Sequence, residues 1–503
     1  MKKKIITRFA PSPTGVLHIG GARTALYNYL FSKNKKGKFI LRIEDTDRER
    51  LVKGSENYIT SSLKWLEMEF NENLREKKTH LYRQFERKNL YKIYIKKLLD
   101  NNQAYYAFDT LEDLNKIRNN KTSNSQSIKY DYTIRDNMKN SLVFSKKKVK
   151  DMLKNNVPYV IRLKVPYQKN IILYDLLRGS FVVNSSYLDD KILIKSNGIP
   201  TYHFANVIDD YFMHVSHVIR GEEWLSSLPI HILLYQYLGW GFDIPYFMHL
   251  PLLLNPNGKG KLSKRNKLKE NIPTFPINCK NFTEELRNNN FKEKGYFSAA
   301  LINFLIKLGW SSDDEEICTK DEFIKKFNIF KIGKSGIKFD IHKLNWFNQK
   351  YLQNKNNNSI FNFLTIKLKS NNINYNYNNI LNICVLVKER SIFLNDFFKK
   401  GRFFFQSNFF LNNYNIEKKY NIFKKIIIKF SFIKKFNYLA IKEEINNLIK
   451  KKNLKYKDII PVVRFIVTGN SIGPDLIKIL ELIGRKKIIF RIQKNLAFFF
   501  SKY

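Results

Sequence analysis

The chain has 503 residues, 44% of them hydrophobic, which is enough for several domains around a sizeable core. Its three cysteines, Cys279, Cys318 and Cys384, are widely separated and lack nearby Cys or His companions, which excludes a disulfide framework and a cysteine metal centre; no segment reaches the roughly 18 uncharged apolar residues of a membrane span. The 89 Lys and Arg against 44 Asp and Glu leave a formal charge of +45, a field that draws polyanions, although Lys, Asn, Ile, Phe and Tyr are enriched throughout, so part of the excess is compositional bias.

Lys2–Lys4 could open a secretory signal, but Arg8, Pro11 and Pro13 interrupt the apolar run too soon. The expectation is a soluble, cytoplasmic protein in a reducing compartment. Ile5 to Ala10 reads as a short strand and Pro11, Pro13 and Gly15 as its turn, while Ala22, Ala25, Leu26, Tyr29 and Leu30 recur at helical spacing from Gly20 onward. The first amides of a helix have no intrahelical acceptor and carry partial positive charge, so they favour a phosphate. Gly20 and Gly21 allow close approach of a nucleotide, and His18 can donate to a phosphate oxygen.

A second strand over Lys38–Ile43 and a helix over Ser55–Phe70 predict a parallel sheet flanked by helices, with ligands at the carboxyl ends of its strands. Arg8 and Ala10 end the first strand and Glu44 the second, so they border one crevice with His18. Residues 105–190 interrupt the pattern with polar turns and short β-like runs, among them Tyr159–Val165 and Ser180–Val183. The sheet pattern is expected to resume at Lys191–Lys195 and run through Trp240. Asn255–Gly260 has the composition of a mobile loop, and Lys261-Leu-Ser-Lys264-Arg265 follows it. Lysines on a closing loop can meet the negative charge that builds up in phosphoryl or nucleotidyl transfer.

From 260 to 335 the chain reads as helical, with Ala299, Leu301, Ile302, Leu305, Ile306 and Leu308 forming one packed face. Beyond 340 an all-helical region is expected, with loops at the Asn-rich stretches 354–358 and 371–379.

The His18–Gly21 turn and the Lys261–Arg265 loop, found together around a βα framework, resemble the two ATP signatures of class I aminoacyl-tRNA synthetases. The surrounding phrases narrow this. Arg8-Phe-Ala-Pro-Ser12-Pro-Thr-Gly15, Phe39-Ile-Leu-Arg-Ile-Glu44-Asp-Thr-Asp47, Pro158–Pro166, Pro200-Thr-Tyr202-His-Phe-Ala-Asn206-Val-Ile-Asp-Asp210, Val218-Ile-Arg220-Gly-Glu-Glu223-Trp224, Phe339–Trp346 and Thr468–Pro474 resemble bacterial-type glutamyl-tRNA synthetases. The likeness is dense before residue 350 and thin between 350 and 455.

This resemblance implies a Rossmann-like α/β catalytic domain (1–105 and 191–258) and an inserted α+β domain gripping the tRNA acceptor end (106–190). It also implies a mobile loop with a helical stem-contact domain (259–338) and an all-α anticodon-binding region (339–503). The implied reaction is attack of glutamate on the α-phosphate of ATP, followed by transfer of glutamate to the 3′ end of tRNA. By resemblance His18, Gly20, Gly21, Glu223, Trp224 and Lys264 bind ATP, which carries Mg²⁺. Lys264 stabilises phosphate charge with support from Lys261 and Ser263. Arg8, with Tyr202 and Asn206, takes the side-chain carboxylate of glutamate, and Arg220 takes its α-carboxylate. Glu44, Ser12 and the Ala10 backbone receive the ammonium.

Zinc is not expected, because Tyr106, Phe108 and Tyr130-Asp-Tyr-Thr-Ile-Arg135 stand where some members carry cysteines. The implied partners are tRNA for glutamate, with tRNA for glutamine a second candidate, and the implied state is a monomer. A glutaminyl enzyme is opposed by the helical C-terminal half, a truncated tRNA-modifying relative by the length beyond Asp340, and a non-catalytic RNA-binding relic by the two intact ATP loops.

Overall fold

The computed structural model describes residues 4–70, 82–120, 129–262, 273–278, 289–310, 317–373, 375, 379–406, 420–451 and 455–500. They fall into two compact units, one formed by residues 1–294 and 301–341, the other by 295–300 and 342–503.

In the first unit the order is β1 (Ile6–Phe9), α1 (Ile19–Asn34), β2 (Lys38–Leu41), α2 (Ser55–Trp65), α3 (Lys88–Asp100), β3 (Ala104–Ala107), α4 (Leu111–Asn120), α5 (Lys146–Lys154) and β4 (Val160–Leu163). There follow β5 (Asn170–Asp175), β6 (Gly179–Asn184), β7 (Ile192–Ile194), α6 (Tyr202–Phe212), β8 (His217–Gly221), α7 (Leu228–Tyr237), β9 (Tyr246–Leu250) and β10 (Leu253–Leu254). Beyond these lie α8 (Ser298–Lys307), whose residues from Leu301 onward belong to this unit, α9 (Lys320–Lys326) and β11 (Ile337–Lys338). Six strands form one sheet in the order β2-β1-β8-β9-β5-β6. The first five run parallel and β6 turns back against β5. Crossover helices bury both faces of such a sheet, and Thr7, Arg8 and Phe9 of β1 and Phe39, Ile40 and Leu41 of β2 are accordingly buried without alternation.

The expected resumption of the main sheet at Lys191–Lys195 is corrected. β7 instead joins β3 and β4 in a separate three-stranded antiparallel sheet, with Ile192 opposite Arg162. The β5–β6 hairpin, expected within the insertion, sits in the main sheet, where Asp175 pairs with Phe247 of β9. The physical reason is burial at an edge. Ile171, Leu173 and Asp175 of β5 are buried while Ile172 and Tyr174 are exposed, the period of a strand with only one covered face. Both sheets share one core, in which Leu163, Leu173, Leu193, Phe204, Val218, Leu233 and Phe247 meet.

The stretch expected to be helical from 260 to 335 holds α8 and α9 among its described residues. β10 and β11 add an unforeseen two-stranded parallel ladder, Leu253 pairing with Ile337.

In the second unit every regular element among the described residues is a helix, from the segment after Asp340 to Arg485–Phe500. Ile360, Leu364, Ile383, Phe397, Ile441, Ile466 and Leu480 belong to its core. Punctuation follows capping rules: Gly469 adopts φ +77° to end the helix Tyr456–Thr468, and Asp475 accepts from the amides of Ile477 (2.7 Å) and Lys478 (3.2 Å) to start the next. Part of the expected Asn-rich loop at 354–358 is helical. Asn356 caps the helix Asn357–Ser370 through the Asn358 amide.

Candidate active site

One cleft of about 520 Å³ opens at the carboxyl ends of the main sheet. It gathers Arg8, Ala10, Ser12, His18, Gly20, Gly21, Glu44, Tyr202, Asn206, Arg220, Glu223, Trp224 and Lys261, so every expected site residue that is described lines it. Ser263 and Lys264 lie outside the described residues.

On the wall where α1 begins, His18 is its N-cap. Its Nδ1 accepts from the Gly20 amide at 3.1 Å, which in the neutral ring leaves Nε2 as the protonated nitrogen. A Cβ on Gly20 would stand 3.4 Å from that ring, while one on Gly21 would press to 2.9 Å from Leu17. Gly20 therefore keeps the cleft open beside His18, and Gly21 lets the turn pack against its own helix. The turn is pinned from outside by the amides of Glu44 and Val52, which donate to the carbonyls of Pro11 and Pro13. Amide N–H groups at a helix start together with an imidazole N–H suit phosphate oxygens.

On the floor lies a buried ionic network. Asp210 accepts from Arg8 Nε (3.1 Å), Arg8 Nη2 (3.3 Å) and Arg42 Nη1 (2.6 Å). Arg42, fully buried, also donates to Glu44 Oε1 (3.0 Å), and that oxygen accepts from Asn206 Nδ2 (2.9 Å). Burial would lift the Asp210 carboxyl, but Arg42 and Arg8 hold it below the ordinary range. For Glu44 the balance is reversed, and burial raises its carboxyl in spite of Arg42 and Arg8. Tyr202, Asn206 and Asp210 are spaced four apart on α6, which places them in a line along one face.

Arg220, 5% exposed, is held differently. Its Nε donates to His249 Nε2 (3.0 Å), Nη1 to the Tyr202 hydroxyl (2.9 Å) and Nη2 to the Trp224 carbonyl (3.1 Å), with His231 Nδ1 at 3.4 Å from Nη1. All are neutral acceptors. No carboxylate among the described residues lies within ion-pairing distance of it. His231 and His249 are driven toward the neutral form, chiefly by burial and also by the positive charge of Arg220. A buried guanidinium without a counter-charge is costly unless a ligand supplies one.

At the rim, Trp224 is 40% exposed and packs on Tyr202 with ring centroids 4.3 Å apart. Glu223 folds over Gly221, where a Cβ would collide with its carboxylate, and accepts from Lys261 Nζ at 2.9 Å. The loop before Lys261 is a tight turn rather than an open one. Asn255 N donates to the Gly260 carbonyl, Gly258 N to that of Asn255, and Leu262 N to that of Leu253; Gly258 and Gly260 supply the positive φ angles this requires.

Sequence reasoning missed Arg42, Asp210, His249, His231 and Asp175. A signal existed for Asp210, which continues the four-residue spacing of Tyr202 and Asn206. At the expected zinc-free positions, Tyr106 packs edge-on to Tyr159 (5.1 Å), Tyr130 donates to Asp109, and the Arg162 guanidinium lies 3.9 Å above the Tyr130 ring.

The raised carboxyl of Glu44 yields a pH prediction. Protonated Glu44 cannot take up a ligand ammonium as an anion. The value of kcat/KM for an amino-acid substrate should therefore fall on the acid side with a midpoint above the ordinary glutamate value of about 4.3. Measured pH profiles should lose that limb in Glu44→Gln, at a lower plateau; an unchanged limb would remove Glu44 from ligand binding.

Comparison with known proteins matches residues 4–346 to the family model described as tRNA synthetases class I (E and Q), catalytic domain, and residues 354–496 to an anticodon binding domain. The chain is 45% identical to a glutamate–tRNA ligase of Amoebophilus asiaticus over 99% of this chain and 98% of the relative. It is 41% identical to one of Cytophaga hutchinsonii over 98% and 97%. Among solved structures, it is similar to a glutamate tRNA ligase of Elizabethkingia meningosepticum in complex with its amino acid (TM-score 0.87, 41% identity, 98% and 99% covered). It is likewise similar to a glutamate-tRNA synthetase of Elizabethkingia anophelis (TM-score 0.88, 42% identity, 98% and 100% covered).

Proposed function

Because this chain belongs to the glutamate–tRNA ligases of the class I synthetase family, we propose that the cleft at the carboxyl ends of its main sheet is where its reaction takes place. That reaction is the ATP-dependent ligation of L-glutamate to the 3′ end of tRNA(Glu) through glutamyl-adenylate, a step of protein biosynthesis. The start of α1, with His18, Gly20 and Gly21, receives ATP phosphates, while Glu223 and Trp224 border the nucleotide. Mg²⁺ arrives with the phosphates it neutralises. Glutamate places its ammonium at Glu44, near Ser12 and the Ala10 backbone, and its two carboxylates at Arg220 and Arg8, with Tyr202 and Asn206 alongside. The carboxylate oxygen attacks the α-phosphorus and pyrophosphate leaves. The adenylate carbonyl is then attacked by a hydroxyl of the terminal adenosine, and AMP leaves. Both steps rest on positioning and charge stabilisation.

The observation that carries this assignment is Arg220, a buried guanidinium whose partners among the described residues are all neutral. The α-carboxylate of an amino acid completes it, while the choice of glutamate over glutamine falls to Arg8 at the side-chain carboxylate. We further propose that the enzyme is monomeric, works in the cytoplasm, and takes tRNA(Glu) as its partner, with tRNA(Gln) as a second acceptor to be tested. The second unit, with residues 339–341 leading into it, would read the anticodon, and the β3-β4-β7 sheet with its neighbours would grip the acceptor end.

The test is aminoacylation with radiolabelled glutamate or glutamine on separate transcripts of the two tRNAs, with Lys264→Ala as control. Glutamate transfer is expected, with adenylate formation slowed at least about a hundredfold by the mutation, as for loss of a donor that meets transition-state charge. Glutamate affinity should change far less. Transfer of glutamine alone would overturn the pocket assignment. Retained RNA binding with no transfer would favour the relic.

A further inference from the structure

Arg220 sits at the centre of a chain of contacts that crosses three neighbouring strands of the main sheet. It lies on β8 directly opposite His249 of β9, and β9 pairs in turn with β5, which ends at Asp175. Arg220 Nε has only a hydrogen to give, so His249 Nε2, at 3.0 Å, must accept. On its other side His249 Nδ1 lies 2.7 Å from Asp175 Oδ2. Burial would raise the Asp175 carboxyl, but the bond from His249 and the amides of Leu177 and Arg178 hold it below its ordinary range. An ionised carboxylate can only accept, so Nδ1 carries the proton. Both neighbours thus demand the same tautomer, and the ring is fully buried. The His249 amide also donates to Asp175 Oδ2 at 3.0 Å, which fixes the carboxylate as well as the ring.

The remaining neighbours of Arg220 leave its direction less determined. The Tyr202 hydroxyl can rotate, the Trp224 carbonyl belongs to a short turn at the rim, and His231 Nδ1 is 3.4 Å away with its Nε2 facing His203 Nδ1 at the same distance. The Phe247 ring, 5.4 Å from the guanidinium carbon, supplies a face without direction. His249 is the one partner whose own orientation is fixed by an ion and by the sheet.

We propose that His249, locked by Asp175 as the Nδ1–H tautomer, is a positioning residue that aims Arg220 at a carboxylate of the amino-acid substrate. This rests on the assignment of Arg220 as a carboxylate receptor. His249 touches no reacting atom; it acts by holding the guanidinium plane, so its loss is felt in glutamate affinity and not in the chemistry of ATP. The arrangement follows the logic by which an outer hydrogen bond orients an inner binding group.

Four variants of the full-length enzyme separate the possibilities in steady-state aminoacylation. H249N keeps a donor toward Asp175 but removes the acceptor for Arg220. H249Q restores an acceptor at the Nε2 position. R220L removes the receptor itself. H249N is expected to raise the KM for glutamate about tenfold or more, the size expected for losing a hydrogen bond to a charged group, while kcat and the KM for ATP stay within about threefold. H249Q should recover most of the loss. H249L, which fills the space without an acceptor, should repeat the H249N result and serves as the second variant where H249N does not fold by thermal melting.

An unchanged glutamate KM in H249N and H249L alongside a raised KM in R220L overturns the positioning role and leaves the Arg220 assignment standing. An unchanged KM in R220L overturns that assignment and the positioning role with it. Parallel losses for glutamate and ATP, or a folded H249Q that recovers nothing, reduce His249 to a packing role and overturn the proposal.

Discussion

Replacing Arg220 with leucine is expected to raise the KM for glutamate by at least about a hundredfold, while the preference for glutamate over glutamine, which rests on Arg8 at the side-chain carboxylate, and the KM for ATP change little. The magnitude follows from what is lost. Truncating one member of a buried, hydrogen-bonded charge pair costs about 2–5 kcal/mol, and 1.4 kcal/mol is about tenfold in affinity. Here the pair is expected to form only with substrate bound, because no carboxylate among the described residues pairs with Arg220. The loss therefore falls on the ligand complex rather than on the fold. Steady-state aminoacylation at varied glutamate checks the KM, and competition against glutamine checks the rest; a variant that loses the preference would move the side-chain carboxylate from Arg8 to Arg220.

Asp210→Asn should have the opposite character, a large loss of stability. Asp210 neutralises two buried guanidiniums, Arg8 and Arg42, and is itself 2% exposed. An amide oxygen in place of Oδ1 can still accept from Arg8 Nε and Arg42 Nη1, but the N–H₂ in place of Oδ2 faces Arg8 Nη2 and the negative charge is gone, leaving an uncompensated buried charge at about 3–5 kcal/mol. Urea unfolding should show this as a shift of midpoint at an unchanged slope. The pH dependence has a definite sign. The folded pKa of Asp210 is depressed, so its contribution is complete above the ordinary carboxylate pKa and is lost as pH falls through the depressed value. Wild type should therefore lose stability faster than the variant between about pH 4 and the acid limit. A midpoint within experimental scatter of wild type would mean that Arg8 and Arg42 find solvent or another acceptor.

The parts of this site that were legible from sequence are those in which function is written locally. His18, Gly20 and Gly21 announce a helix start, and Tyr202 and Asn206 share a helix face by spacing alone. Arg42 and Asp210 are 168 positions apart, and His249 and Asp175 are 74 apart; they meet only because the sheet order runs β2-β1-β8-β9-β5, which no local pattern encodes. The same blindness explains why β7 was expected in the main sheet. The short apolar run of β7 and the alternating run of β5 each look like a strand, and which sheet a strand joins is decided by its partner. Arg42 was hidden for a further reason. An arginine between two apolar residues reads as an exposed position of a half-buried strand, whereas this one is fully buried and held by two carboxylates.

Asp209 and Asp210 are consecutive on α6, and successive positions on a helix diverge by about 100° around its axis. Asp210 is tied to Arg8 and Arg42. Asp209 is tied to Arg87 (2.7 Å), Gln84 (2.9 Å) and Tyr91 (2.8 Å), at and just before the helix that leads to the smaller sheet. The helix is guyed from two sides like a mast, and slackening either stay lets it turn. Gln84, Arg87 and Tyr91 line no part of the cleft, yet they help set the angle at which Tyr202 and Asn206 face it. Drift at these three positions would thus surface as poor substrate fit in an intact pocket, and its natural compensation would arise among the anchors of Asp209 rather than among the residues that touch glutamate.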